Sequence, residues 1–112
     1  MSVEQRTVND VTILDVKGRV TIGEGSVELR EAVRNALNGG AKKIVLNLSG
    51  VTTIDSSGVG ELVSSYTTTS NQDGKLKLIN LPSKVQDILM ITQLITVFET
   101  YDSEAEAIES FS

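Results

Sequence analysis

Cysteine and histidine are both absent from the 112 residues of this sequence. Their absence excludes a thiol nucleophile, a Ser-His-Asp triad, imidazole acid–base chemistry and a zinc site of the usual Cys/His kind. A chain without cysteine also fits a reducing compartment. We therefore predict that the protein is not an enzyme and that it has no catalytic residue, no metal site and no cofactor.

Clustered positive charge and long apolar runs are missing as well. Ten basic residues stand against fifteen acidic ones, a net charge of −5, and Lys42-Lys43 is the only adjacent basic pair. Binding to a phosphate backbone needs clustered Lys and Arg, so nucleic acid is not an expected partner. No apolar run approaches the roughly 20 residues of a membrane span, and residues 1–6 lack the apolar core of a signal peptide. We predict a cytoplasmic protein without membrane insertion.

The apolar periodicity of the chain alternates between strand and helix patterns, and its length suits one hydrophobic core, so we predict a single domain over residues 1–112. The order β-β-α-β-α-β-α-β-α predicts an α/β fold with a mixed, mostly parallel sheet of about four to five strands and about four helices. The predicted elements are a hairpin around Asn9-Asp10 that ends at Gly18, a helix from a Ser26 cap to Gly39, a strand over 44–48, a helix to about Ser70, a strand over 75–80, a helix opened by Pro82, a strand over 95–98 and a helix capped within 101–103.

The same periodicity identifies a candidate core. We expect ten apolar side chains to be buried: Val11, Ile13, Ile44, Leu46, Leu48, Leu62, Val63, Leu76, Leu78 and Ile79. Four more, Ile88, Met90, Ile91 and Leu94, are expected to complete the core, with an exposed docking patch as the alternative.

The most informative stretch is Ile54-Asp55-Ser56-Ser57-Gly58-Val59-Gly60, which lies where a strand pattern stops and a helix pattern begins. Two hydroxyls beside an acid are therefore presented at a helix N-terminus. Free backbone N–H groups and the helix dipole favour an anion there, which suggests a serine that accepts a phosphate or a loop that binds one. An Asp/Ser N-cap followed by glycines for a tight turn explains the same residues. Both interpretations remain open on this evidence.

This motif, with the preceding strand, the leading hairpin and the strand from Gly74 to Asn80, resembles the signature of STAS domains, specifically bacterial anti-sigma factor antagonists. The resemblance covers essentially the whole chain. It implies a STAS fold and a phosphoprotein that regulates transcription through partner switching. In that family the serine directly after the motif Asp is phosphorylated by an anti-sigma factor that is also a serine kinase, and that serine corresponds to Ser56.

The resemblance also implies a set of partner-binding residues around Ser56. These are Asp55, Ser57, Gly58, Gly60, Thr21 and Glu24. Thr21 is a departure, because many antagonists carry an acid there, and Glu24 is the acid of this loop that could substitute for it. The implied partners are an anti-sigma factor serine kinase and a serine phosphatase that acts on phosphorylated Ser56. We expect a monomer or a weak dimer.

Two other functions share this fold and stay open at this point. One is a STAS accessory subunit of a lipid or anion transporter, and the other is a stressosome-type scaffold that assembles into large particles.

Overall fold

A tight hairpin begins the chain. The structure, a computed structural model, describes residues 1–111. Strands β1 (Ser2–Val8) and β2 (Val11–Val20) pair antiparallel. Asn9 and Asp10 connect them with φ values of 50° and 62°. Positive φ at both central residues is the geometry of a two-residue type I′ turn, which Asn and Asp tolerate well. The predicted hairpin is confirmed, although β2 continues past Gly18, where we expected it to end.

The rest of the chain alternates helices and parallel strands. Helix α1 (Glu24–Asn38), strand β3 (Lys43–Ile54), helix α2 (Ser56–Asn71), strand β4 (Lys75–Ile79), helix α3 (Ser83–Ile91), strand β5 (Thr100–Tyr101) and helix α4 (Glu104–Glu109) follow in that order. The sheet order is β1-β2-β3-β4-β5, and every pair after the first is parallel. The predicted mixed, mostly parallel α/β sheet with four helices is confirmed.

Helices cover both faces of this sheet. On one face α1, α2 and α3 bury the main core, which includes Leu46, Leu62 and Leu78. On the other face α4 covers a smaller cluster around Ile13 and Val45. Nine of the ten predicted core residues are buried. The exception is Val63, which is only partly buried although it packs against the main core.

Helix α4 also covers a lysine. Lys77 is 2% exposed, on the face of β4 opposite the main core. Its ammonium donates to Ser110 Oγ at 2.7 Å and lies 4.2 Å from the centre of the Phe111 ring. A buried charge is costly unless it is paired, and Glu99, whose carboxylate lies 3.6 Å from the ammonium, supplies the opposite charge.

Besides the end of β2, three further predictions about the elements were wrong. Helix α1 begins at Glu24, and Ser26 is a buried residue of its first turn rather than its cap. Strand β3 extends to Ile54, well beyond position 48. Residues 95–98 do not form a strand: a 3-10 helix occupies Leu94–Thr96, and the edge strand comes later and has only two residues. The chain turns here because Gln93 is left-handed and the Val97 N–H donates back to the Leu94 carbonyl at 3.0 Å.

The apolar residues of α3 divide between core and surface. Val85 and Leu89 are buried, and Ile88 and Leu94 are half-buried against the main core. Met90 and Ile91 are 55% and 82% exposed, so the expectation that they complete the core was wrong. Residues 90 and 91 lie at the end of the helix, on the side that faces away from the sheet. The helical period alone does not show whether an apolar residue at a helix end faces the core or the solvent.

Candidate functional site at the start of helix α2

Asp55 is the N-cap of helix α2 and ties two loops together. One carboxylate oxygen accepts a hydrogen bond from the Gly58 N–H at 2.9 Å, and the other accepts from the Ile22 N–H at 3.0 Å. The pKa of the Asp55 carboxyl lies below its usual value. The largest cause is the hydrogen bond from the Gly58 N–H, and the second is the hydrogen bond from the Ile22 N–H. The cap interpretation of this motif is therefore correct for Asp55. The same residue also fixes the loop between β2 and α1.

Gly58 allows the two loops to approach each other. A Cβ at this position would overlap with the carbonyl oxygen of Val20 and would crowd the side chain of Ile54. The Asp55 N–H reaches the same Val20 carbonyl at 3.4 Å. Gly58 is buried, and its lack of a side chain lets the backbone of β2 pack closely against the start of α2. This is a packing role, and the structure does not present Gly58 on the surface.

Ser56, Ser57 and Gly60 form the accessible part of the motif. Ser56 is the first residue of α2 and is exposed, whereas Ser57 is partly buried. Gly60 is exposed one turn further on, and a Cβ there would meet no atom within 4 Å. A side chain at position 60 would therefore project into solvent, on the side of α2 that carries the hydroxyls.

The loop between β2 and α1 lies beside this helix terminus. Thr21 is partly buried, and its carbonyl accepts hydrogen bonds from the Ser26 N–H at 3.1 Å and from Ser26 Oγ at 2.8 Å. Thr21 thus contributes backbone contacts that hold the loop. Glu24 is exposed in the first turn of α1. The structure therefore brings the predicted loop residues to the same end of the sheet as Ser56.

Exposed apolar side chains next to the motif escaped the sequence-based reasoning. Ile22 is 78% exposed and Val27 is 41% exposed. Both line a groove of about 390 Å³ between α1 and α2, together with Ser57, Gly60 and Ser64. The available signal was the short apolar interlude of the loop over residues 19–25, in which Ile22 stands between Thr21 and Gly23. Exposed apolar side chains beside a polar motif are typical of a surface that binds another protein.

An ion pair lines the same groove. Glu61 is buried on α2, and its carboxylate accepts a hydrogen bond from Arg30 Nε of α1 at 2.7 Å. This pair joins the two helices below the exposed serines. The groove therefore combines apolar side chains, hydroxyls and one paired charge, which suits contact with a protein surface more than the enclosure of a small ligand.

The position of Ser56 at the helix terminus determines its electrostatic surroundings. Ser56 stands at the positive end of a 16-residue helix, where an added anion is favoured. Among residues 1–111 no three acidic side chains come together in an arrangement able to hold a metal ion.

Comparison with known proteins identifies the class. The STAS domain family matches residues 2–107. This protein therefore belongs to the STAS domain family, as the motif predicted. Proteins of Thermotoga maritima and Thermotoga neapolitana, both provisionally named anti-sigma factor antagonists, are each 32% identical to it over 93% of this chain and 92% of their own length.

Solved structures agree with this assignment. The crystal structure of the Thermotoga maritima protein has a TM-score of 0.87 at 32% identity, covering 96% of this chain and 92% of that one. The anti-sigma factor antagonist SpoIIAA in its unphosphorylated form shares the fold, with a TM-score of 0.73 at 19% identity and coverage of 98% and 97%. Within residues 1–111, none of the helices has the length and apolar character that crossing a membrane requires.

Proposed function

We propose that this protein binds an anti-sigma factor serine kinase while Ser56 is unphosphorylated, and that phosphorylation of Ser56 ends this binding. A serine phosphatase would then restore the binding-competent form. The observation that carries the proposal is the exposure of Ser56 at the first position of the capped helix α2, directly beside a groove with exposed apolar side chains. The Thermotoga relatives named as antagonists support the same role.

A phosphate at Ser56 opposes docking through its charge. It adds about −1.5 to −2 charges at neutral pH, directly after the carboxylate-bearing Asp55 in the chain. A partner that covered the groove would have to strip water from this charge, and desolvation of an unpaired anion is unfavourable. Binding therefore weakens without any need to move a helix.

The fold itself accommodates the phosphate. Backbone N–H groups at the start of α2 and the helix dipole stabilise an anion at Ser56. SpoIIAA has been solved in both unphosphorylated and phosphorylated forms, and their TM-scores to this protein are 0.73 and 0.74. That both forms share one fold supports a switch that acts through surface electrostatics.

Paired pull-downs from the native cell extract test the proposal. Wild type, Ser56→Ala and Ser56→Asp serve as baits, and mass spectrometry identifies the retained proteins. We expect a serine kinase on wild type and Ser56→Ala and its loss from Ser56→Asp. The matched control is Ser83→Asp, which adds the same charge at the exposed first residue of a different helix, α3, and should retain the kinase. Equal retention of the kinase by wild type and Ser56→Asp would contradict the proposal.

The captured kinase then identifies the modified residue. With ATP it should transfer phosphate to wild type and to Ser57→Ala, and not to Ser56→Ala. Phosphopeptide mapping reads this directly. A transporter subunit recovered equally on the Ser56→Ala and Ser56→Asp baits would instead favour an accessory subunit, and recovery of the protein in large particles would favour a scaffold.

A further inference from the structure

Strand β1 forms one edge of the sheet, and no strand within residues 1–111 pairs with its outer side. It is the first strand in the order β1-β2-β3-β4-β5 and has seven residues, whereas the opposite edge strand β5 has two. Residues 4 to 7 of β1 are all exposed. A long exposed edge offers a row of free backbone N–H and C=O groups to another strand.

The geometry of the hairpin determines which residues of β1 direct their backbone N–H and C=O groups outward. In a two-residue hairpin the flanking residues, here Val8 and Val11, exchange both backbone hydrogen bonds. Because this pattern alternates along an antiparallel pair, the even-numbered residues of β1 bond to β2. The odd-numbered residues Val3, Gln5 and Thr7 therefore direct their N–H and C=O groups outward.

Only a few self-pairings fit this pattern. A second copy of β1 related by a two-fold axis must pair antiparallel, with the axis at one residue of the strand; an axis at Glu4 or Arg6 would place like charges opposite each other. Gln5 is outward-facing and is the midpoint of Ser2–Val8. With the axis at Gln5, Gln5 pairs with its own copy, Val3 pairs with Thr7, and all seven residues of both strands take part.

The same register places opposite charges together. Glu4 of one copy falls opposite Arg6 of the second copy, as a non-hydrogen-bonded pair whose side chains lie close. Within one copy Glu4 instead stands opposite Asp15, a pair of like charges. Arg6 makes four hydrogen bonds, to Asp15 and Glu104, which leaves one of its five N–H donors available.

We propose that the protein self-associates through β1, with a two-fold axis at Gln5, to form a continuous antiparallel sheet across two copies. The strand midpoint, the outward hydrogen-bonding groups and the Glu4–Arg6 complementarity all select this register. The polar character of the strand keeps the interaction weak. The surface is separate from the Ser56 site, which lies at the start of α2, so self-association and kinase binding are distinguishable.

Charge substitutions at Gln5, the residue on the proposed two-fold axis, test this register. Gln5→Lys or Gln5→Glu places like charges directly opposite each other in a self-pair, whereas a mixture of the two variants places opposite charges there. Sedimentation equilibrium of wild type from about 10 µM to about 1 mM measures the association. We expect each variant alone to associate about fivefold more weakly than wild type, and the equimolar mixture to recover the association.

Three further variants separate the contribution of the backbone hydrogen bonds from that of the charge. Gln5→Pro removes an outward N–H and leaves the β1–β2 hydrogen bonds in place, so it should weaken association by at least about tenfold while circular dichroism stays unchanged. Gln86→Lys and Gln86→Glu, on the exposed surface of α3, make the same charge changes away from β1 and should have no effect. A wild type that is monomeric throughout the range, or an association that Gln5→Lys leaves unchanged, would overturn the proposal.

Discussion

Two glycines of the same helical turn have opposite surroundings. A side chain at Gly58 would overlap with the Val20 carbonyl, whereas one at Gly60 would project into open space. The sequence motif shows both glycines as equivalent members of one signature. Only the packing of β2 against α2 separates a glycine needed inside the protein from one that leaves the outer surface open to a partner.

Alanine at each position tests this difference. Gly58→Ala should lower the free energy of unfolding by about 1–3 kcal/mol, because the Val20 carbonyl must move. Gly60→Ala should raise it by about 1 kcal/mol, since alanine is the better helix former and meets no clash. Urea denaturation measures both. A larger side chain, as in Gly60→Leu, should keep the fold yet reduce kinase capture if this surface binds the partner. Equal losses of stability at both glycines would contradict the assignment.

Asp55 makes the stability of the site depend on pH. The pKa of Asp55 is lower in the folded protein, so its ionised form contributes stability above its unfolded value of about 3.9, and that contribution is lost as pH falls through the folded value. Between pH 5 and pH 2 the unfolding free energy of wild type should therefore fall more steeply than that of Asp55→Asn.

A residual pH dependence is expected in that variant. The pKa of Asp15 is also lowered, chiefly by its hydrogen bond from Arg6, and it acts in the same direction. Asp87→Asn, on α3, controls for the loss of one carboxylate. Parallel pH profiles for wild type and Asp55→Asn would show that the Asp55 hydrogen bonds do not operate in solution.

At the scale of elements, β3 is the strand on which the site depends. It pairs with β2 and β4 along its buried half and continues to Ile54, directly before Asp55. Leu46 is fully buried in the first half of β3. The sequence predicted the buried half of this strand correctly, because its apolar run is continuous, and missed the polar half, because Ser49 to Thr53 carries little apolar signal.

Truncation of this strand has a predictable cost. Leu46→Ala should lower the free energy of unfolding by about 2–5 kcal/mol, through lost burial and the cavity left behind. Ile91→Ala is the matched control, because Ile91 is 82% exposed and its truncation should change stability by about 0.5 kcal/mol or less. Chemical denaturation compares the two. A loss below about 1 kcal/mol for Leu46→Ala would be incompatible with a central strand.

The last strand shows where element prediction fails. Residues 95 to 98 are apolar and β-branched enough to suggest a strand, yet tertiary contacts place Phe98 in the main core against Tyr66, with ring centres 5.6 Å apart. The backbone therefore turns in a 3-10 helix and pairs with β4 only at Thr100 and Tyr101. A short apolar run alone does not distinguish a strand from a turn that anchors an aromatic side chain.

For the whole molecule, the proposed switch should leave the fold unchanged. Ser56→Asp adds a negative charge at the start of α2, where the helix dipole favours it, so the unfolding free energy should change by at most about 0.5 kcal/mol. Amide chemical shifts should move mainly in residues 20–27 and 54–61, which surround the site. Ser57→Asp provides the comparison. Shifts that spread to the buried strands, for example to Leu46 and Leu78, would indicate a conformational change instead of a local electrostatic effect.

The sequence by itself determined the class of fold, the central strand–turn–helix motif and the candidate serine. These features are local: apolar periodicity, a capping Asp and turn residues act over a few neighbouring positions. Tertiary structure alone decided that Gly58 is internal and Gly60 external, that Ile22 and Val27 border the serines, and that Asp55 holds the Ile22 N–H. Each of those relations joins segments more than 25 residues apart or depends on which side of a helix faces the sheet. A sequence pattern does not show how close such segments lie in the folded protein.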